Sequence, residues 1–513
     1  MFRVPGWLRF ALFAGGAVCV LFAGTAWAGV IYVRGDAAGA KNGQSWANAY
    51  TDLQAGLATA EWGDEIWVAQ GTYKPTSGAD RTVSFALEAG VGLYGGFAGA
   101  ETERGQRNWE ANPTILSGDI GTTATADNSY HVVTGAHLAV LDGFTVTGGN
   151  NGSGSGGGMY NVNSSPTVTN CTFRDNTAGN TWGSHGNGGG MYNSNSSPIV
   201  TNCTFSHNSS GYGDGGGMYN TSSSPSVTNC TFSGNTGSGM SNKDSSPTVT
   251  NCMFSGNTAI WGYTVGQGRL SGGGGMNNIN SSPIVANCSF SGNAANDSGG
   301  GMFSSSSSPT VTNCSFSGNT ARGWGGGVYG SGTFANCTFT SNTAAVSGGG
   351  VYGSGPVANC SFSGNAANDS GGGMWCGGSP VTNCIFWDNS APLGPEIHTG
   401  GGTPTFSHCD IRGSGGSGAL WNPALGVDGG GNIMANPRFV APATPAGPDG
   451  LWRTRDDGLR LQSDSPCIGA ADPAVAPRTD ILGLARKIAP DIGAYEFARM
   501  APASADPIWL LFR

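Results

Sequence analysis

An all-β fold is predicted: a parallel β-helix, built as a solenoid of three short strands per coil, with an N-terminal helical cap and a C-terminal capping module. Three observations predict it. The tetrapeptide Asn-Cys-x-Phe returns nine times, with its cysteine at Cys171, Cys203, Cys230, Cys252, Cys288, Cys314, Cys337, Cys360 and Cys384, and a degraded tenth copy surrounds Cys409. The copies lie 22 to 36 residues apart and the last intact ones settle at 23 or 24, a period at which one repeat is one supersecondary unit. Between copies stand a glycine triplet and short runs that alternate apolar and polar residues, the pattern of strands with one face inside. Finally, only 10% of the residues are charged; Ser, Thr and Asn supply the polarity, as they do on β-surfaces and in turns.

The composition also excludes classes. The 91 glycines show no three-residue period, which rules out collagen. The low charge content is unlike a disordered chain. A net charge of -9 leaves no basic footprint for a nucleic-acid partner.

Taken in order, residues 1–28 read as a signal peptide. Arg3 and Arg9 precede an apolar run from Phe10 to Phe22, and Ala26-Trp-Ala28 is a small-x-small cleavage site. The run is short for a bilayer span, so the mature chain is expected to carry no membrane span and to be secreted or held at the cell surface. Residues 29–112 form the N-terminal cap and first coils. Val30–Val33 is a strand, Ser45 an N-cap, and Trp46, Tyr50, Leu53, Leu57 and Ala60 share one helix face. Strands follow at Ile66–Val68, with Gly71–Tyr73 ending that strand, and at Val83–Leu87 and Val91–Tyr94. A helix there would cover the end of a solenoid that otherwise exposes unpaired backbone.

The repeats occupy residues 113–412. After early strands at Ile115-Leu116, His131–Val133 and Leu141–Val146, each coil holds Gly-Gly-Gly-Met-Tyr, then Pro-Thr-Val-Thr, then Cys-Thr-Phe. Alternation places Met159, Val168, Cys171 and Phe173 inside and Tyr160, Thr169 and Thr172 outside. Pro166 opens the second strand, where a missing donor is tolerated. Asn170 sits at the bend into the third strand, where a left-handed residue bonding to the next coil's asparagine fits. Stacked cysteines would lie about 4.8 Å apart with parallel side chains, a geometry unlike a disulfide, so a ladder of buried free thiols is expected. A lone coil loses about 1–2 kcal/mol of backbone entropy per residue, and four inward side chains return only about 1.5–3 kcal/mol each. Stacking is therefore obligatory. Long insertions at Asn176–Asn187, with Trp182 and His185, and at Asn257–Ser271, with Trp261, Tyr263 and Arg269, fall on one side of the rod, often a binding side.

From Gly413 the repeat stops. Residues 413–497, with Ser465-Pro-Cys-Ile468 and Asp491-Ile-Gly-Ala-Tyr-Glu496, read as a module closing the far end, and 498–513 as a tail.

These residues resemble known groups. The coil pattern is similar to the right-handed parallel β-helix of exported bacterial pectin-lyase-like proteins. The Phe-x-x-Asn tetrapeptides, first at Phe173–Asn176, paired with Gly-Gly-Gly-Met resemble repeats of chlamydial polymorphic outer-membrane proteins, although the autotransporter barrel of those proteins is absent here. Ser465–Ile468 and Asp491–Glu496 resemble the choice-of-anchor Q module. The resemblance implies a right-handed coil; for activity it is nearly silent.

Candidate chemistry is sparse. Between residues 151 and 400 there are 11 charged residues, seven of them acidic. Asp214, Asp297 and Asp369 precede glycine triplets three coils apart, about 14 Å along the axis, whereas glycosidase carboxylates stand about 5–9.5 Å apart. Turn capping is the bland reading of these acids. Asp119, Asp127 and Asp142 on the early coils remain catalytic candidates. Asp449, Asp456 and Asp457 could form a calcium loop but match no strict ligand pattern, so loop capping is the favoured reading. No two histidines have metal-ligand spacing, and no cofactor or metal is expected.

One pattern stands out. The outward position after the glycine triplet holds Tyr160, Tyr192, Tyr219, Phe303, Tyr329, Tyr352 and Trp375. Stacked coils would align them into a stripe, either a ligand-binding strip for a polysaccharide or cell-surface glycan, or a self-stacking ladder that stabilises the sheet. The functional expectation is an exported, non-catalytic β-helix with an adhesion, structural or polysaccharide-binding role. The alternative is a carbohydrate-active enzyme, a polysaccharide lyase or glycoside hydrolase.

Overall fold

The computed structural model describes residues 29–122, 125–179, 185–211, 213–260 and 272–498. Residues 1–28, read above as a signal peptide, the tail past Ala498, and Trp182, Trp261, Tyr263 and Arg269 of the insertions lie outside the described residues.

Three long parallel sheets run along the rod. A 15-stranded valine sheet extends from Val30–Val33 to Val427–Asp428 and includes Thr167–Thr169. A 12-stranded methionine sheet extends from Phe85–Ala86 to Ile397–Thr399 and includes Met159–Val162. A 13-stranded phenylalanine sheet extends from Gly71–Tyr73 to Asp410–Ile411 and includes Thr172–Arg174. Repeats pair with themselves: Met159 faces Met191, Val168 faces Val200 and Phe173 faces Phe205.

The interior follows from alternation. Met159, Val168, Cys171, Phe173 and their copies are buried in one continuous core. The phenylalanine rings from Phe173 to Phe386 stack with centroids 4.4 to 5.0 Å apart, the strand spacing itself. The twelve described cysteines are free and buried. Cys203 N donates to Cys230 Sγ at 3.4 Å, and burial pushes the Cys337, Cys360 and Cys384 thiols up. The expected thiol ladder is present.

Asparagine governs two of the turns. Asn170 has φ 51 and its copies match it. Asn202 Nδ2 donates to Asn170 Oδ1 at 3.2 Å, and Asn229 to Asn202 likewise. A second column, Asn176 to Asn389, is fully inside. Asn208 Nδ2 donates both to Asn235 Oδ1 at 3.1 Å and to the Phe173 carbonyl at 2.9 Å. This inner ladder closes the end of the Phe-x-x-Asn turn without leaving an unpaired buried amide.

Four expectations are corrected. The helix runs over Leu53–Thr59 with Asp52, not Ser45, as its N-cap, the Asp52 carboxylate accepting from Gln54 N. Leu53 and Leu57 seal the core end as expected, but Trp46 packs with Tyr32 and Phe97 in a separate aromatic cluster, so the spacing that placed it on the helix was coincidental. Leu141–Val146 is two strands, Val140–Asp142 and Phe144–Thr147, in different sheets. Gly143, at φ 84, makes the corner. Gly71–Tyr73 likewise belongs to the phenylalanine sheet rather than ending the strand before it.

The C-terminal region divides. Residues 413–433 close the end: Leu425 is buried against the core and Trp421 stands 6.1 Å from Phe406. The following residues turn back along the side of the last coils instead of covering the end. Phe439, Leu459, Leu461, Ile481, Ile492 and Tyr495 build a second core on Ile385. Polar contacts go to the outer asparagine column. Arg486 donates to Asn336 Oδ1, Asn383 Nδ2 to the Asp472 carbonyl, and Asn359 Nδ2 to the Asp491 carbonyl. Arg486 and Glu496 form a buried ion pair at 3.3 Å.

Candidate functional site

The seven aromatic side chains singled out by the sequence occupy one column on the outer face of the methionine sheet. Strand pairing brings them into register: Tyr160 with Tyr192, Tyr192 with Tyr219, Phe303 with Tyr329, Tyr329 with Tyr352, and Tyr352 with Trp375. The stripe is not continuous. Ser241 and Asn277 hold the same position between Tyr219 and Phe303, which divides it into two runs.

Within each run the rings lie face to face. Centroids are 5.4 and 5.7 Å apart along Tyr160, Tyr192 and Tyr219, and 5.1, 5.4 and 4.3 Å along Phe303, Tyr329, Tyr352 and Trp375. His131 stacks on Tyr160 at 4.4 Å, which extends the first run by a residue that sequence reasoning missed. The signal available was its position three residues before Thr134, the register partner of Tyr160. Face-to-face stacking consumes the ring faces and leaves the edges outward. A Cβ at Gly400 would stand 1.6 Å from Trp375 Cζ2, so the last indole is covered as well. Tyr219 and Phe303 are buried; the other five are partly exposed.

Beside the second run lies a groove of about 530 Å³, lined by Ser304 to Ser308, Tyr329, Gly330, Ser331, Tyr352, Gly353, Ser354 and Trp375. Its origin is a change in turn length. Val311 follows Phe303 by eight residues, but its register partner Phe334 follows Tyr329 by five. Val357 again follows Tyr352 by five. The turn Ser304–Ser308 therefore projects past the shorter turns after it, and a ledge results. No charged side chain lines the groove.

The acidic candidates do not converge. Asp142 forms an ion pair with Arg107 and accepts from Asn170 Nδ2 at 2.9 Å. Asp119 pairs with Lys74 at 3.2 Å, and Asp127 accepts from Thr122 N at 2.7 Å. Asp297 accepts from Ser298 Oγ, and burial pushes its carboxyl up. Asp369 accepts from Ser347 and Ser370. In the C-terminal loop, Asp456 accepts from Thr454 Oγ1, and Asp457, pushed up to about 6 by burial, accepts from Tyr495 Oη. Among the described residues no group of three or more His, Cys, Asp or Glu could hold a metal, and no helix is long and apolar enough to cross a membrane.

Comparison with known proteins follows the fold. The signature of a family described as a right-handed β-helix region matches residues 126–268. No curated protein matches the chain. Among solved structures, pectate lyase Pel9A is 14% identical, with TM-score 0.39 over 92% of this chain and 97% of that one. The Dettilon tailspike protein is 12% identical, with TM-score 0.37 over 80% and 69%. The A-module of the Azotobacter vinelandii mannuronan C-5 epimerase AlgE4 is 12% identical, with TM-score 0.33 over 72% and 97%. Three parallel sheets, one strand of each per coil, and the matched signature make this chain a right-handed parallel β-helix.

Proposed function

We propose that the chain is an exported β-helix, secreted or held at the cell surface, with a non-catalytic adhesive or structural role in which the aromatic column binds polysaccharide. Residues 1–28 direct export in this reading, and the choice-of-anchor-like module at 413–497 belongs to the same extracellular habit. The observation that carries the reading is the register of Tyr160, Tyr192, Tyr329, Tyr352 and Trp375 on one partly exposed face. Aromatic side chains with an apolar body and a polar tip suit a ligand that offers both C–H surfaces and hydroxyls. A hydrolase would need two acids about 5–9.5 Å apart, and a calcium-dependent lyase an acidic cluster beside a basic residue. The candidate carboxylates are instead each engaged in a turn or an ion pair, which favours the non-catalytic reading.

The test is binding of a polysaccharide panel to the protein and to Trp375→Ala and Tyr329→Ala. Weakening by tenfold or more, about 1.4 kcal/mol, supports the reading. Unchanged binding with reduced thermal stability would make the column a purely structural ladder.

A further inference from the structure

We infer that glycan recognition is confined to the ledge at Ser304–Ser308 and takes an uncharged, hydroxyl-rich ligand such as a neutral oligosaccharide. The inference rests on the polysaccharide-binding reading and narrows it to one place and one ligand class.

The first aromatic run has no such step in turn length. Its rings stand on a sheet whose turns keep one length: Val168, Val200 and Val227 each follow their tyrosine by eight residues. Its rings, like those of the second run, are stacked face to face and offer edges only, but no shortened turn stands beside them to form a ledge. At the second run the turn shortens by three residues and the chain steps down. Tyr329, Tyr352 and Trp375 line the groove at this step over two strand spacings, about 10 Å, together with Ser304 to Ser308, Ser331 and Ser354. The volume of about 530 Å³ falls within the range of small-ligand sites, about 300–1,000 Å³.

The lining sets the ligand class. Ser304 and Ser307 are buried, the Ser307 hydroxyl donating to the Ser305 carbonyl. The exposed Ser306, Ser308 and Ser354 carry hydroxyls that both donate and accept, matching those of a sugar, and the aromatic edges match its C–H surface. An anionic ligand would find no cation in the lining, and burying its charge unpaired is costly. Gly330 and Gly353 keep the floor low: a Cβ at Gly330 would stand 2.1 Å from the Ser304 carbonyl oxygen, and one at Gly353 2.1 Å from that of Gly330.

The experiment uses the full chain, with calorimetric titration of neutral gluco-, manno- and galacto-oligosaccharides beside oligogalacturonate and oligomannuronate. Ser354→Trp fills the groove from an exposed position, so folding is not at stake. Tyr192→Ser alters the first run to the residue that Ser241 already places in the column. The expected result is binding of a neutral oligosaccharide that Ser354→Trp weakens at least tenfold while that variant melts near the wild type. Binding lost in Tyr192→Ser and kept in Ser354→Trp overturns the ledge while leaving polysaccharide binding standing. Preference for the charged oligosaccharides overturns the neutral class. Failure of the wild type to bind any member of the panel, or of a panel of the corresponding polymers, overturns both.

Discussion

Asn389 donates its side-chain amide to Glu396 at 2.6 Å, and Glu396 thereby ends the inner asparagine ladder. The ladder has a direction. Each amide nitrogen from Asn176 to Asn365 gives one proton to the next coil's Oδ1 and one to the carbonyl of an earlier coil. The last member therefore needs an acceptor where no further asparagine exists. A carboxyl supplies it and accepts from the Asn389 backbone too.

Burial pushes the Glu396 carboxyl up to about 7, against the Asn389 donors that pull it down. The folded state thus holds a proton that the unfolded chain releases near the ordinary glutamate value. Protons are bound in excess by the folded form between about 4.5 and 7, so stability falls as pH rises through that window. Asp410 and Asp457, each pushed up to about 6, act in the same direction. Glu396→Gln keeps an acceptor and cannot ionise. Urea unfolding should show it within about 1 kcal/mol of wild type at pH 5 and more stable by about 2 kcal/mol at pH 8. An equal difference at both pH values would contradict the assignment.

The two asparagine columns should respond differently to substitution. Asn257 is buried, donates to Asn293 and the Phe232 carbonyl, and accepts from Asn235. Asn257→Ala strands several buried groups, at about 1–3 kcal/mol for each. Asn229 is exposed and left-handed at φ 54, a conformation glycine adopts freely. Asn229→Gly should cost less than about 1 kcal/mol, and thermal melts of the two variants side by side give the comparison.

The thiol ladder should be inert. All twelve described cysteines are buried, and the thiolate is the reactive form. Alkylation of the native protein at pH 8, mapped by mass spectrometry, should leave these positions unmodified, whereas alkylation in denaturant should modify all of them. Rapid native labelling at Cys230 or Cys288 would mean that the coils open.

Arg486 ties the C-terminal segment to the rod. It pairs with Glu496 while fully enclosed and reaches Asn336 on the coil beneath. Arg486→Ala leaves the buried Glu496 with only the half-exposed Lys487 ammonium, at 3.4 Å, as its counter-ion and should cost about 3 kcal/mol. Limited proteolysis should then cut within 434–498 while the repeats stay intact. Unchanged resistance would mean that the second core on Ile385 suffices alone.

Much of the fold was legible because the repeat restates itself. Met159, Val168, Cys171 and Phe173 take their inward positions from alternation, and Asn170 takes its left-handed turn from the bend between strands. What escaped was what differs between neighbouring coils or has no periodicity. The ledge arises from three residues missing between Tyr329 and Phe334, visible only once Val311 is known to pair with Phe334. The inner column escaped because Asn176 follows Phe173 at a turn, where polarity normally means solvent. Its burial depends on an identical amide one coil away. Trp46 misled because helical spacing alone cannot tell which cluster a side chain joins. The aromatic column was aligned correctly, but its interruption at Ser241 and Asn277 and its face-to-face stacking follow from the stack itself.

The most direct measurement is incubation of the protein with a polysaccharide panel, scored in one experiment for retention of polymer and for release of reducing or unsaturated ends. Retention of at least one polymer with no release above a heat-treated control is expected. Release of new ends, abolished by substitution of Asp119, Asp127 or Asp142, would contradict it and make the chain an enzyme.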